Sequence, residues 1–293
     1  MAPFGEVITA MITPFTDDGA VDYGQLWKLA EHLVANGSSG VLVSGTTGES
    51  PTLTDDEKVA AFRTVVDAVG NSAMVIAGVG TYDTAHSVEM AERAAEVGCG
   101  ALLAVTPYYN KPPQAGLVAH FTAIADATEL PLMLYNIPGR TSRLIEVDTL
   151  ATLAQHPHIA AVKDAVEDTG FTSRTYQACG DALAIYSGAD AYLLPMMAVG
   201  AVGVVSVTSH LAGNQIRRMI TAAAAGDLGT ATKIHQALLP LSEALFLEPN
   251  PMPLKGIMNK VWGPVGDPRL PLLAASPGVV DQLEEALATA QTV

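Results

Sequence analysis

The chain has 293 residues, 49% of them hydrophobic and only 15% charged, and 30 acidic against 15 basic residues leave a formal net charge of -15. This much apolar surface excludes a disordered chain, and the scarcity of clustered Lys and Arg argues against a nucleic-acid partner. Cys99 and Cys179 form no CxxC pair and fit a reduced cytoplasmic protein better than a disulfide scaffold.

Residues 191–216 contain no Asp, Glu, Lys or Arg and are long enough to span a bilayer. Pro195, three glycines and Asn214 interrupt this stretch, however. We therefore predict a buried helix over 191–199 and a strand over 203–207, and no membrane contact. The N-terminus has no basic segment ahead of an apolar core, so no signal peptide is expected either.

Short aliphatic and β-branched runs alternate with longer helical stretches along the chain. The runs that predict strands are 7–13, 40–44, 74–78, 101–105, 132–135, 159–163, 184–187 and 203–207. Such near-continuous apolar runs are typical of parallel strands covered on both faces. Eight βα units in about 215 residues predict an α/β fold, a (β/α)8 TIM barrel. A doubly wound sheet is the competing fold, but its usual GxGxxG turn is absent.

The strand signal stops near residue 225. Residues 231–247 and 277–292 are alanine-rich and helical in spacing, so we predict a barrel domain over 1–224 and a C-terminal helical region over 225–293. Catalytic groups of TIM barrels lie at the carboxyl ends of the strands, and polar residues at those places are the candidates for function.

The second and fourth predicted strands lead into polar loops. GTTGES at 45–50, called the threonine loop below, offers the hydroxyl and N–H donors of Thr46 and Thr47 to an anion, although a plain glycine-rich turn is the alternative. TPYYNKP at 106–112 carries two tyrosines that suit proton transfer or an interface, with simple aromatic packing as the alternative.

The fifth and sixth predicted strands end in reactive side chains. Tyr135 ends the fifth, and Arg140 follows it in YNIPGRT, where a guanidinium suits a carboxylate and a solvated surface arginine is the alternative. Lys163 ends the sixth. Partial desolvation favours the neutral, nucleophilic amine, and the alternative is a buried ion pair with Asp164. Together these residues favour a Schiff-base site.

Metal chemistry is not expected. The pair His156 and His158 precedes the sixth strand, away from the catalytic end of the barrel, and we predict that it lies on the surface. No other His, Asp or Glu set has the spacing of metal ligands.

These motifs, together with SGAD at 187–190, GVVSVTS at 203–209 and NPMPLKG at 250–256, resemble in order and spacing the dihydrodipicolinate synthase family of pyruvate-dependent class I aldolases. The resemblance covers nearly the whole chain. It implies condensation of pyruvate with L-aspartate 4-semialdehyde, in lysine and diaminopimelate biosynthesis, with Lys163 forming an imine with pyruvate and no metal or other cofactor.

The resemblance also implies how protons move. Tyr135 would be the general acid and base, and Thr47 would link it to Tyr109 of a neighbouring subunit. The implied assembly is a homotetramer, a dimer of dimers.

Substrate-binding roles follow from the same resemblance. Thr46 and Thr47 would bind the carboxylate of pyruvate, and Arg140 that of the semialdehyde. Backbone groups of Gly188 and Val205 would line the floor of the pocket.

Departures from the family pattern affect regulation. Some members are inhibited by lysine at a site whose matching places here are Pro51, Asp55, Lys58, Tyr82 and His86. Because Lys58 would repel a cationic effector, weak or absent inhibition is expected. His210 stands where an Asn is common, with no predicted consequence.

Two other functions compete with the synthase. A 2-keto sugar-acid lyase such as N-acetylneuraminate lyase shares Lys163, Tyr135 and the threonine loop but generally lacks the arginine at position 140. A non-catalytic barrel that binds small acids is the alternative from another class.

Overall fold

The computed structural model describes residues 2–293. Eight parallel strands form a closed barrel in chain order, so that the first strand also pairs with the eighth. The strands are β1 (Val7–Ala10), β2 (Gly40–Val43), β3 (Met74–Gly78), β4 (Ala101–Val105), β5 (Leu132–Asn136), β6 (Ile159–Asp164), β7 (Ala184–Ser187) and β8 (Ala201–Ser206). The TIM barrel predicted from the sequence is confirmed.

Helices surround the barrel and continue beyond its last strand. They are α1 (Tyr23–Ala35), α2 (Asp55–Val69), α3 (Thr84–Glu96), α4 (Gln114–Asp126), α5 (Pro138–Thr141), α6 (Val147–Leu153), α7 (Thr169–Cys179), α8 (Leu193–Met197), α9 (Ser209–Ala224), α10 (Leu228–Ala244), α11 (Met252–Val261) and α12 (Pro277–Ala290). In the part of the chain that the structure describes, no helix is long and apolar enough to cross a membrane.

Several element boundaries differ from the sequence-based expectation; β5 and β6, for example, each end one residue later than predicted, at Asn136 and Asp164. The predicted first strand over 7–13 ends at Ala10, and the Thr13 hydroxyl donates to the Gly48 carbonyl instead of continuing the sheet. The predicted helix over 191–199 is shorter, since only α8 is α-helical there. Conversely, α10 begins three residues before the predicted position 231, because the Asp227 side chain caps it by accepting from the Thr230 N–H.

The barrel is packed shut at the amino ends of its strands. Its interior is filled by apolar side chains such as Leu42, Ile76 and Met133, all fully buried. Phe4 closes the end of this core, and its N–H donates to the Tyr186 hydroxyl across 3.1 Å. Open space is therefore left at the carboxyl ends of the strands, where TIM barrels carry their active sites.

The last three helices return to the barrel. α10 packs against α9 and α12, and α11 packs against α12. Between α10 and α11 the chain reaches the mouth of the barrel, where Asn250 contacts Thr47 of the threonine loop. The division of the chain after residue 224 stays a prediction.

Candidate active site

Lys163 and Tyr135 lie side by side at the carboxyl ends of two neighbouring strands. They are register partners in the β5–β6 pair, and both side chains are buried at 5% exposure. The Lys163 Nζ lies 4.1 Å from the centroid of the Tyr135 ring. Residues 2–293 supply no salt-bridge partner to this amine, so its contact with the aromatic face leaves it available for covalent chemistry.

Asp164 is not the ion-pair partner of Lys163 that the sequence left as an alternative. As the next residue in a strand it points to the opposite face, where its carboxylate accepts from the Val166 N–H at 3.0 Å and the Thr172 hydroxyl at 2.8 Å. Burial raises the pKa of this carboxyl, against the effect of those two hydrogen bonds. Asp164 therefore anchors the chain after β6 and leaves the amine unpaired.

The threonine loop forms the wall opposite these residues. Ser50 N–H donates to the Gly45 carbonyl at 3.2 Å and Glu49 N–H to the Thr46 carbonyl at 3.1 Å, which folds the loop tightly. At Gly48 an added Cβ would lie 3.1 Å from the Met11 carbonyl oxygen, so no larger residue fits without movement.

The two threonines of this loop face different surroundings. Thr46 lines both parts of the cavity described below, one together with Tyr108 and the other together with Lys163. Thr47 lines only the Lys163 side, and its buried hydroxyl oxygen accepts from the Asn250 amide at 2.8 Å.

The cavity has a main part of about 550 Å³ above Lys163 and an adjoining part of about 210 Å³ beside Tyr108. Arg140, on the short helix α5, lines both parts and is exposed. Among the described residues its guanidinium has neither a salt bridge nor a hydrogen bond. A cation without a protein partner at the rim of a cavity is suited to an incoming carboxylate.

Two predicted floor residues lie at different depths. Gly188 lines the main part of the cavity, and its N–H is already donated to the Asp164 carbonyl at 2.7 Å, so that its carbonyl is the free backbone group. Val205 is buried in the interior of the barrel, below the residues that line the cavity. Val207, two residues later, lines the cavity instead.

Tyr109 lies outside the cavity of its own chain. It is 91% exposed, with a positive φ of 71°. Its neighbour Tyr108 is half-buried at the cavity and stacks edge-on to Tyr82 at 5.3 Å. Burial raises the pKa of the Tyr108 phenol.

The histidines have structural surroundings. His156 pairs with Asp126 at 3.0 Å at the surface, as predicted. His210 is enclosed beneath β8, where Nε2 accepts from the Ile12 N–H at 3.2 Å and Nδ1 donates to the Val207 carbonyl at 2.9 Å. Burial lowers the pKa of His210 to about 4. No group of His, Cys, Asp and Glu within residues 2–293 could hold a metal ion.

Sequence reasoning missed several residues of the site. Asn250, Ser242 and Phe246 line the main part of the cavity although they follow no barrel strand. NPMPLKG at 250–256 was recognisable as a motif. Nothing in it, however, indicated that Asn250 contacts Thr47, which lies 203 positions earlier in the chain.

A closed α/β barrel with an unpaired buried lysine near the carboxyl end of its sixth strand, and a tyrosine beside it, defines a lyase of the Schiff-base-forming class. The chain belongs to the dihydrodipicolinate synthetase family, whose model matches residues 3–290. It is 51% identical over 288 residues to the 4-hydroxy-tetrahydrodipicolinate synthase of Thermosynechococcus vestitus, covering 98% of this chain and 97% of that relative.

Solved structures of the same family superpose closely on the chain. The dihydrodipicolinate synthase of Bacillus anthracis matches at 44% identity with a TM-score of 0.95, covering 98% of this chain and 99% of that one. The enzyme of Cyanidioschyzon merolae, solved with lysine bound, matches at 44% identity with a TM-score of 0.96 and covers 99% of both chains.

Proposed function

We propose that the cavity carries out the condensation of pyruvate with L-aspartate 4-semialdehyde to give 4-hydroxy-tetrahydrodipicolinate. The reaction is that of the curated relatives at about 51% identity over nearly the full length. The observation that carries the mechanism is the buried, unpaired Lys163 amine beside the Tyr135 ring.

The first half of the reaction prepares a carbon nucleophile. The neutral Lys163 amine attacks C2 of pyruvate, and loss of water gives an imine. The imine withdraws electrons from the adjacent methyl carbon, which loses a proton to form an enamine. This electron withdrawal supplies the stabilisation that a metal gives in other aldolases, so the proposed reaction uses no cofactor.

The second half joins the substrates and releases the enzyme. The enamine carbon attacks the aldehyde carbon of the semialdehyde, and the new alkoxide takes up a proton. The amino group of that substrate then attacks C2 and displaces the Lys163 amine, which closes the ring and regenerates the free lysine.

Tyr135 is the proposed proton carrier, because its side chain reaches both the Lys163 amine and the cavity. A phenol is a poor base alone at neutral pH, so a relay that removes its proton supports catalysis. The family resemblance implied Thr47 for this relay. We assign it to Thr46, because Thr46 lines both parts of the cavity, as Tyr135 does, whereas Thr47 lines only the main part.

Tyr109 is proposed to complete the relay from a neighbouring subunit. Its near-complete exposure in one chain supports a place at an interface rather than in its own cavity. We propose a homotetramer built as a dimer of dimers, and a cytoplasmic location in keeping with the free thiols of Cys99 and Cys179.

The substrates' carboxylates are assigned to separate groups. The threonine loop, through Thr46 and Thr47, binds pyruvate next to Lys163, and Arg140 at the rim binds the semialdehyde. The Gly188 carbonyl borders the same space, and Val205 supports its floor from below. Arg140 also favours the synthase over a sugar-acid lyase, which agrees with the names of the relatives.

Borohydride trapping tests the proposal. Intact wild-type protein incubated with pyruvate and borohydride should gain the mass of one reduced pyruvate, and Lys163→Ala should gain none. Aspartate semialdehyde and N-acetylneuraminate are then compared as substrates of the wild type. Absence of the adduct in the wild type would refute the imine, and turnover of the sugar acid alone would refute the synthase.

Thr46→Val and Thr47→Val distinguish the two threonines. Loss of the relay in Thr46→Val should lower kcat roughly 100-fold, whereas Thr47→Val should mainly raise the KM for pyruvate. A lowered kcat in Thr47→Val together with a raised KM for pyruvate in Thr46→Val would instead assign the relay to Thr47.

A further inference from the structure

Glu49 and Lys255 form an ion pair that is buried from solvent. Lys255 Nζ lies 2.7 Å from Glu49 Oε1, and both side chains are 1% exposed. Glu49 is the fifth residue of the threonine loop, and Lys255 lies on α11, beyond the barrel. Neither residue lines the cavity, so the pair has no place in the chemical steps.

Further groups contact both members of the pair. The second oxygen of the Glu49 carboxylate accepts from the backbone N–H of Arg269 at 2.8 Å. Lys255 Nζ lies 3.9 Å from the centroid of the Phe15 ring and 3.4 Å from the Asp267 carbonyl oxygen. A buried charge whose partner is removed is strongly unfavourable, and this pair therefore holds the loop to α11 in one arrangement.

The loop conformation needs such support. Glu49 has a φ of 57°, in the left-handed region that residues with a side chain adopt rarely. The same residue carries the carboxylate that Lys255 holds. The ion pair thus involves the loop residue whose backbone has the unfavourable left-handed conformation.

A second contact joins the same two parts of the chain. Five residues before Lys255, the buried Asn250 donates from its amide to the Thr47 hydroxyl oxygen. That oxygen is then occupied as an acceptor, which leaves the Thr47 hydroxyl proton free to be donated to an anion in the cavity.

We propose that residues 250–255 are the positioning element of the pyruvate-carboxylate site, acting through the Glu49–Lys255 ion pair and the Asn250–Thr47 hydrogen bond. Glu49, Lys255 and Asn250 are positioning residues: they hold the threonine loop and orient its donors. This inference rests on the proposed function, since it assumes that the loop binds the carboxylate of pyruvate.

The test removes both charges of the pair together, because a single change leaves a buried charge unpaired and threatens folding. In the double variant Glu49→Gln/Lys255→Met, the side-chain amide oxygen at position 49 can still accept from the Arg269 N–H, and methionine keeps most of the apolar stem. We expect a folded protein whose KM for pyruvate rises about tenfold, while kcat at saturating pyruvate and the KM for aspartate semialdehyde change less than about twofold.

The matched control is Lys260→Met on the same helix. Lys260 also pairs with carboxylates, those of Glu284 and Asp281, but at the surface and away from the loop. The kinetic constants of Lys260→Met should equal those of the wild type. Borohydride trapping at graded pyruvate concentrations, without the second substrate, should show the same tenfold shift in half-saturation for the double variant alone.

A second comparison isolates the Asn250 contact. Asn250→Ala should raise the KM for pyruvate when it is introduced into the wild type. Introduced into Thr47→Val, it should change that KM little, because the hydroxyl that Asn250 contacts is already absent. A melting temperature lowered with an unchanged pyruvate KM in the double charge variant, or full additivity of Asn250→Ala and Thr47→Val, would overturn the inference. Absence of trapping in the wild type would instead overturn the proposed function.

Discussion

Arg140→Ala removes the guanidinium that we assign to the carboxylate of the second substrate. In the described chain this guanidinium makes no hydrogen bond or salt bridge and is exposed. Its removal therefore leaves no buried partner unsatisfied, and the melting temperature should stay close to that of the wild type.

The expected loss is confined to one substrate. A charge-assisted contact between a guanidinium and a carboxylate at a partly exposed rim contributes about 2 kcal/mol. At 1.4 kcal/mol per factor of ten, this predicts a roughly 30-fold lower kcat/KM for aspartate semialdehyde. Lys163 and the threonine loop are unaltered, so pyruvate should form its imine as in the wild type.

Steady-state rates at varied semialdehyde concentration measure the loss, and borohydride trapping with pyruvate alone measures imine formation. Arg140→Lys is the matched variant: it keeps a positive charge but not the planar fork, and should lose roughly fivefold. Equal loss of trapping and of semialdehyde use in Arg140→Ala would refute the separation of the two carboxylate sites.

Three further predictions concern regulation, pH and assembly. Lysine at sub-millimolar concentration should not inhibit, because Asp55 is already held by the chain's own Lys58 at 3.2 Å and His86 at 2.8 Å. The free energy of unfolding should fall by about 2 kcal/mol between pH 7.5 and pH 5 on account of His210 alone, since its pKa is about 4 when folded and near 6.5 when unfolded. Tyr109→Phe should lower kcat without lowering the melting temperature.

Each of these has its own check. Initial rates with and without lysine decide the first, and inhibition below 1 mM would contradict it. For the second prediction, protonation of His210 favours the unfolded state as the pH falls from about 6.5 toward 4. In chemical denaturation, the free energy of unfolding of His210→Asn should therefore depend less on pH than that of the wild type. An equal pH dependence would contradict the prediction. For the third, Tyr109→Phe with unchanged kcat would remove Tyr109 from the relay.

The charge of the chain bears on how these substrates bind. Both proposed substrates carry carboxylates, yet the protein has a net charge of -15. The net charge therefore supplies no long-range attraction for them. Local groups must supply the binding, and Arg140 with the N–H and hydroxyl donors of the threonine loop are placed to do so.

The pairing of Lys163 with Tyr135 was predictable because it depends on short-range rules. Apolar runs of strand length, alternating with helices, determine a barrel, and consecutive strands of a barrel are neighbours. Two residues near the carboxyl ends of consecutive strands therefore lie close together, and they are register partners in the structure. The sequence likewise placed the threonine loop and Arg140 at the same rim.

Which threonine lines both parts of the cavity, and what contacts the threonine loop, depended on tertiary packing. Asn250 meets Thr47 across 203 positions of sequence, and Lys255 meets Glu49 across a similar interval, in a part of the chain where α11 packs against α12 beyond the barrel. No local pattern records those contacts. The sequence by itself thus determined the barrel and the place of its buried lysine, whereas the tertiary structure decided how the helices beyond the barrel complete the site.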